Sequence, residues 1–213
     1  MVPMSVEEIA KAVDGRLVVG DGPAIEATET VTDSRQAGSG AVFVAIKGER
    51  VDGHDFVDKV AAQGAAAAIV DHEVACTTMP QIVVEDTVAA LGLLAKHNID
   101  RRRQLPGAFD LIGLTGSVGK TTTKDLLSAL LSTLGPTVAP IGSFNNEIGL
   151  PLTALRVNAD TRFFVAEMGA NHIGEIARLT RIAPPNTVIV LRVGVAHLGE
   201  FGSRERIAQA KSE

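Results

Sequence analysis

Tryptophan and tyrosine are absent from the sequence, and phenylalanine occurs only seven times. Single-stranded nucleic acids stack on aromatic side chains, so this scarcity excludes a stacking nucleic-acid binder. A surplus of positive charge is missing too: 20 Lys and Arg against 25 Asp and Glu leave a net charge of -5. That balance excludes a general polyanion binder while leaving room for one locally positive site that takes a single phosphorylated substrate. The one cysteine, Cys76, permits no internal disulfide and points to a reducing compartment. With no cationic neighbour close in sequence, it reads as a small buried apolar residue rather than a reactive thiol. No apolar run is long enough to span a bilayer, and the first residues lack the charged and apolar regions of a signal peptide, so no membrane insertion and a cytoplasmic location are expected.

What the sequence does have is Gly113-Leu-Thr-Gly-Ser-Val-Gly-Lys-Thr-Thr-Thr123. The apolar run Phe109 to Leu114 feeds a glycine turn, and Asp125-Leu-Leu-Ser-Ala-Leu-Leu follows with helical spacing. Strand, glycine turn and helix in that order make a phosphate cradle. Glycines let successive backbone N–H groups face an anion, the helix start adds partial positive charge, and Lys120 reaches the terminal phosphates. Thr121 would hold Mg²⁺. The first glycine of the usual P-loop pattern is replaced by Leu114, so the alternative of an ordinary structural turn stays open.

At 213 residues the chain has room for one large or two small domains. Ser5-Val-Glu-Glu8 has capping-box spacing, and Val6, Ile9, Ala10 and Val13 recur on one helical face until Gly15. Ala41 to Ile46 reads as a buried strand. Ala65 to Val70 is ambiguous in period, but its length and the following Asp71 favour a strand, and Gln81 to Val84 reads as another. Thr87 to Lys96 is predicted as a helix running into a polar stretch closed by Pro106-Gly107, which sets the expected boundary: an N-terminal domain over residues 1–105 and a second over 106–213. Arg101, Arg102 and Arg103 read as a solvated helix end or linker rather than a phosphate contact.

Beyond Phe109 strands and helices alternate: Phe109 to Leu114 then Lys120 to Leu134, Phe163 to Ala166 then Gly174 to Ile182, Thr187 to Val193 then Ser203 onward. Strands apolar throughout, alternating with helices, predict an α/β fold with a mostly parallel sheet covered on both faces. Ligands of such sheets sit beyond the carboxyl ends of the strands. Lys120, Glu167 and His197 each follow a predicted strand and should converge on one edge. With only three convincing strands and a last helix that has no stop signal, this second domain is expected to be incomplete.

Several residues have two readings. Glu167 is a Mg²⁺-holding carboxylate or a solvated strand-end charge, the position favouring the metal. His197 is a metal or phosphate contact, or structural. Lys211 by pattern alone is a solvated helix lysine. Asp33-Ser-Arg35 reads as a capping turn, Asp52-Gly-His54 as a β-turn, and Asn145-Asn146 as a polar loop, each open to a functional role.

Taken together, Thr32-Asp-Ser-Arg35, Phe43 to Gly48 with Asp52-Gly-His-Asp-Phe56, Thr115 to Asp125, Gly142-Ser-Phe-Asn-Asn-Glu-Ile-Gly149, Glu167-Met-Gly-Ala-Asn-His-Ile-Gly-Glu-Ile176 and Ala196-His-Leu-Gly-Glu-Phe-Gly-Ser203 with Ala210-Lys211 resemble the Mur ligases of bacterial cell-wall synthesis. Six ordered matches span nearly the whole chain. Within the family the chain looks most like the branch that joins D-alanyl-D-alanine to UDP-N-acetylmuramoyl-tripeptide. The resemblance implies a small α/β UDP-substrate domain followed by an incomplete central ATP-binding domain, in a protein acting as a monomer.

By resemblance, Ser34, Lys47, Asp52 and His54 would lie at the uridine diphosphate. Thr115, Gly116, Ser117, Gly119, Lys120, Thr121 and Thr122 would line the ATP phosphate cradle. Thr121 and Glu167 would hold one Mg²⁺, and His197 a second. Lys211 matches the lysine that the family carbamylates, an anionic carbamate then completing the second metal site. Asn145 and Asn146 would position substrate near the γ-phosphate. The implied reaction passes through an acyl phosphate formed from the tripeptide's carboxylate and ATP, with Lys120, Glu167, His197 and Lys211 around the reacting groups. Arg192 departs from the asparagine usual there, and the family's adenine-contacting segment and C-terminal domain are not in the chain, so the fragment by itself is expected to be inactive. The ligase that adds the third stem residue, a non-catalytic UDP-muramyl-peptide binding module and a generic P-loop NTPase are the alternatives; Phe144 to Gly149 favours the dipeptide-adding branch over the first.

Overall fold

In the computed structural model, which describes all residues except 19, 21–24, 76, 77 and 195–197, the chain forms two compact units, Met1–His97 and Asn98–Glu213. Cys76 and His197, both singled out by the sequence, lie outside the described residues.

The first unit opens with α1 (Val6–Ala12), whose Ser5 hydroxyl accepts from the Glu8 N–H at 3.2 Å, as the capping-box spacing requires. Strands β1 (Arg16–Val18), β2 (Glu29–Val31) and β3 (Ala41–Val44) follow, then a 3-10 turn (Gly53–Phe56), α2 (Val57–Ala62), β4 (Ala67–Val70), β5 (Gln81–Val83) and α3 (Thr87–Gln104). They form one sheet in the order β1-β5-β4-β3-β2, parallel except for β1. Every residue of β3 and β4 is buried, which explains why Ala65 to Val70 carries no alternation: a strand covered on both faces has no polar side. Phe43, Val57, Val60 and Val70 belong to the core beside it.

α3 corrects the sequence reading. The helix runs through the polar stretch to Gln104, and Arg102 is buried. Asn98 and Arg102 are four residues apart and so share a helix face. The Asn98 amide donates to the carbonyls of Ala154 and Val157, and Arg102 donates to those of Thr161 and Ala108. Polar side chains that cap buried carbonyls look like solvated ones in sequence, and the division between units falls inside this helix, upstream of Pro106-Gly107.

The second unit contains β6 (Asp110–Thr115), α4 (Lys120–Ser132), β7 (Thr137–Val138), α5 (Gly149–Ala154), β8 (Phe163–Glu167), α6 (Glu175–Ile182), β9 (Thr187–Val190), α7 (Leu198–Phe201) and α8 (Arg204–Lys211). Its sheet is parallel throughout, in the order β7-β8-β6-β9. The two-residue β7 adds a fourth strand to the three expected, too short to give a pattern. β9 stops at Val190, short of the expected Val193, because its partner β6 ends at Thr115 where the glycine turn begins. Leu114 on β6 stands opposite Glu167 on β8, so the cradle and the Glu167 carboxylate emerge from one end of the sheet.

Candidate functional site

The turn between β6 and α4 depends on two glycines for different reasons. Gly116 has φ +150°, and a Cβ there would meet the Leu191 Cβ at 2.6 Å, so both conformation and space demand glycine. Gly119 has room but sits at φ +84°, the left-handed region that precedes α4. The Ser117 N–H donates to the Arg192 carbonyl at 3.1 Å, so this residue serves the turn through its backbone, and its side chain is buried. Thr115 is buried and its hydroxyl donates to the Met168 carbonyl at 2.8 Å, tying β6 to the end of β8. Lys120 curls back, its ammonium donating to the Gly116 carbonyl at 2.8 Å. Thr121 is half-buried and Thr122 exposed at the start of α4.

Glu167 is 1% exposed. One carboxylate oxygen accepts from the Asn145 amide at 2.8 Å; the other, Oε2, is buried with no hydrogen-bond partner. The Ser117 hydroxyl is likewise buried and unpartnered. Buried polar atoms are almost always satisfied, so two orphans at the same strand ends have the chemistry of a site awaiting a cation and an anion. A hard divalent cation with oxygen ligands fits Glu167 Oε2, and a phosphate oxygen fits Ser117 and the glycine turn.

Asn145 is held on both sides: its carbonyl accepts from the Gly169 N–H at 2.8 Å, and its side-chain oxygen lies 2.7 Å from where a Cβ on Gly169 would be. Asn146 turns its side-chain oxygen to the N–H groups of Ile148 and Gly149, so that oxygen builds the start of α5. A cavity of about 500 Å³ opens here, lined by Lys120, Asn145, Asn146, Gly169, Ala170 and Arg178 among others, with an Arg178–Glu147 ion pair on its wall.

Lys211, at the end of α8, is buried and donates to the carbonyl of Ala170, a cavity residue, at 3.1 Å. Its ammonium also lies over the Phe201 ring at 5.8 Å. Burial, with the like charge of Lys120 second, pulls its pKa down to about 8 against the opposing pull of Glu175 and Glu213. An amine of that basicity has a substantial neutral fraction near neutral pH, the form that reacts with CO₂.

The residues flagged in the first unit are busy with one another. The Asp52 carboxylate accepts from the His54 backbone N–H at 3.0 Å and lies 2.6 Å from His54 Nδ1, contacts that hold its pKa below the usual range. His54 is buried, and its Nε2 accepts from the Asp71 N–H at 3.1 Å. Both ring nitrogens are therefore spent on the fold. Gly53 is glycine because a Cβ would sit 2.7 Å from the Ile46 nitrogen. Ser34 is buried in a turn where Arg35 clamps Asp33 and pulls its pKa down to about 2, and Lys47 is exposed, bridging to Asp52 through backbone. His54, Asp71 and His72 place ligand atoms within 4.8 Å of one another. The His54 and His72 rings, however, stack at 4.5 Å and 23°, so their in-plane lone pairs run side by side instead of converging on an ion.

Two family profiles match the chain: "Mur ligase family, catalytic domain" over residues 27–99 and "Mur ligase middle domain" over residues 114–213. The chain belongs to the Mur ligase family. It is 44% identical over its whole length to the UDP-N-acetylmuramoyl-tripeptide--D-alanyl-D-alanine ligase of Mycobacterium tuberculosis, covering 46% of that protein. Among solved structures, MurF from Acinetobacter baumannii superimposes with a TM-score of 0.88 at 41% identity, with 99% of this chain and 45% of that one covered. MurF ligase from Thermotoga maritima, in complex with ADP, gives 0.77 at 39% identity over 87% of this chain and 42% of that one. The chain thus spans about half the length of the Mur ligases it matches.

Seen as a Mur ligase, the chain brings Lys120, Asn145, Asn146 and Lys211 to or beside one cavity and ties Glu167 to it through Asn145. Two residues of the second unit carried no signal of their own in the sequence. Arg178 shows only as one more charge on an amphipathic helix, and Lys124, buried on α4, only as the lysine after three threonines.

Proposed function

We propose that this chain supplies the UDP-substrate and nucleotide-binding parts of an ATP-dependent ligase that joins D-alanyl-D-alanine to UDP-N-acetylmuramoyl-tripeptide in peptidoglycan precursor synthesis. The observation that carries this reading is the pair of buried, unpartnered oxygens, Ser117 Oγ and Glu167 Oε2, where β6 and β8 end. The relatives named for this reaction and the ADP complex of one of them support it.

On this reading residues 1–105 hold the UDP end of the substrate, with Ser34, Lys47 and the Asp52 to His54 turn nearby. The cradle Thr115 to Thr122 takes ATP. Lys120 exchanges the Gly116 carbonyl for a terminal phosphate oxygen, and the backbone donors of the turn hold the rest of the chain of phosphates. Thr121 and Glu167 would hold one Mg²⁺; His197 and a carbamate on Lys211 would hold the second. These ions supply charge neutralisation between two anionic reactants. Asn145 keeps Glu167 oriented, and Asn146 shapes the loop facing the substrate. The tripeptide's terminal carboxylate attacks the γ-phosphorus of ATP, ADP departs, and the amine of D-alanyl-D-alanine displaces phosphate from the acyl phosphate to form the amide. No side chain becomes a covalent nucleophile; alignment of the reactants does the work. The protein is read as a cytoplasmic monomer.

The test is phosphate release by the full-length protein with Mg²⁺ and ATP. Release that requires both UDP-N-acetylmuramoyl-tripeptide and D-alanyl-D-alanine is expected. Release that ignores the muramyl peptide, or tight substrate binding without release, refutes the reading.

A further inference from the structure

Lys124 lies one turn beyond Lys120 on α4 and is 2% exposed. An ammonium has three donors, and three acceptors meet it: the carbonyls of Pro140 at 3.0 Å and Gly142 at 3.1 Å, and the Asp125 carboxylate at 2.7 Å. Burying a cation is costly unless its donors are used, and an apolar side chain would fill the same space more cheaply. What the amine adds is therefore the hold on Pro140 and Gly142.

Those two carbonyls belong to the segment that leads into Asn145. Gly142 is in the left-handed region at φ +62°, and the Ala139 carbonyl, at the start of the segment, is taken by Arg156 at 3.1 Å. Lys124 governs the part nearer Asn145. Asn145 in turn holds the Glu167 carboxylate at 2.8 Å and the Gly169 N–H. One side chain thus links the helix that starts at the glycine turn to the loop that orients the buried carboxylate.

We propose that Lys124 is a positioning residue: by fixing the carbonyls of Pro140 and Gly142 it sets Asn145, and through Asn145 the direction of Glu167. The proposal rests on the ligase reading for its effect on rate. Its mechanical half, the hold on residues 140–146, stands apart from any reaction.

The test uses the full-length protein with Lys124→Met and Lys124→Gln, so that one variant remains if the other does not fold. Expected are a fall in kcat of about 10- to 100-fold, the range for removing a group that orients a metal-facing ligand, with KM for ATP and calorimetric affinity for Mg-ADP unchanged. Amide hydrogen exchange at residues 141–146 should quicken, and Lys124→Met added to Asn145→Ala should slow the enzyme no further than Asn145→Ala alone. A wild-type kcat, additive losses in the double variant, or ATP affinity falling in step with kcat overturns the proposal. Unchanged exchange at 141–146 overturns it whatever reaction the protein performs, whereas a wild-type protein without ligase activity strikes only the functional reading.

Discussion

Replacing Glu167 with glutamine should make the protein more stable when divalent cations are removed, although it should abolish function. Glu167 Oε1 has its partner in Asn145, and glutamine's carbonyl oxygen can keep that bond. At Oε2 the wild type leaves a buried anionic acceptor unpaired, while glutamine leaves a neutral amide. An unsatisfied buried neutral group costs about 1–3 kcal/mol and a charged one more, so the substitution should stabilise by on the order of 1–2 kcal/mol, or a few degrees in Tm. Mg²⁺ should reverse the order: the wild type gains about 1.4 kcal/mol for each tenfold excess of ion over its Kd, and Glu167→Gln gains nothing. Urea unfolding followed by far-ultraviolet circular dichroism, in chelator and in Mg²⁺, reads both quantities; tryptophan fluorescence is no option in a chain without tryptophan. A variant less stable than wild type in chelator would refute the reasoning, since the second oxygen would then have a structural partner.

Lys211 should give a pH signature of opposite kind. Its pKa is lowered to about 8 when folded, from the usual 10.5, so between those values the unfolded chain binds the extra proton and stability rises with pH; Lys211→Met should flatten that rise in denaturation curves. Intact mass in bicarbonate should reveal an adduct on wild type that acid removes and that Lys211→Arg lacks. Asn98→Ala should cost about 1–3 kcal/mol by urea unfolding, because the Val157 carbonyl loses the Asn98 amide and the Ala154 carbonyl is left with the Val157 N–H alone. Gly116→Ala should destabilise by more than Gly119→Ala, which carries only the left-handed penalty of about 1–2 kcal/mol, since the former also drives a Cβ into Leu191.

Much of this was legible in the residues because local rules and tertiary contacts agree. The cradle shows itself through glycines whose φ values and close contacts allow nothing else, and β3 and β4 through apolar runs that only a doubly covered strand tolerates. Where side chains serve distant backbone, the sequence misleads. Asn98 and Arg102 have the composition of a linker, yet the Asn98 amide and the Arg102 Nε donate to carbonyls more than fifty positions away, which no local pattern reveals. Lys124 hides for the same reason. His54 likewise reads in sequence as a histidine in a polar turn, with nothing local to show that its nitrogens close a network with Asp52 and Asp71. β7 is simply too brief to leave a period.

The bond from Lys120 to the Gly116 carbonyl has a consequence for selectivity. The ammonium already has an oxygen in the loop, so an arriving anion is in competition with the loop itself. A weakly held ion such as inorganic phosphate gains little by the exchange, while a polyphosphate that also engages the turn's amides recovers more than the lysine gives up. The loop is thereby insulated against small anions by its own main chain.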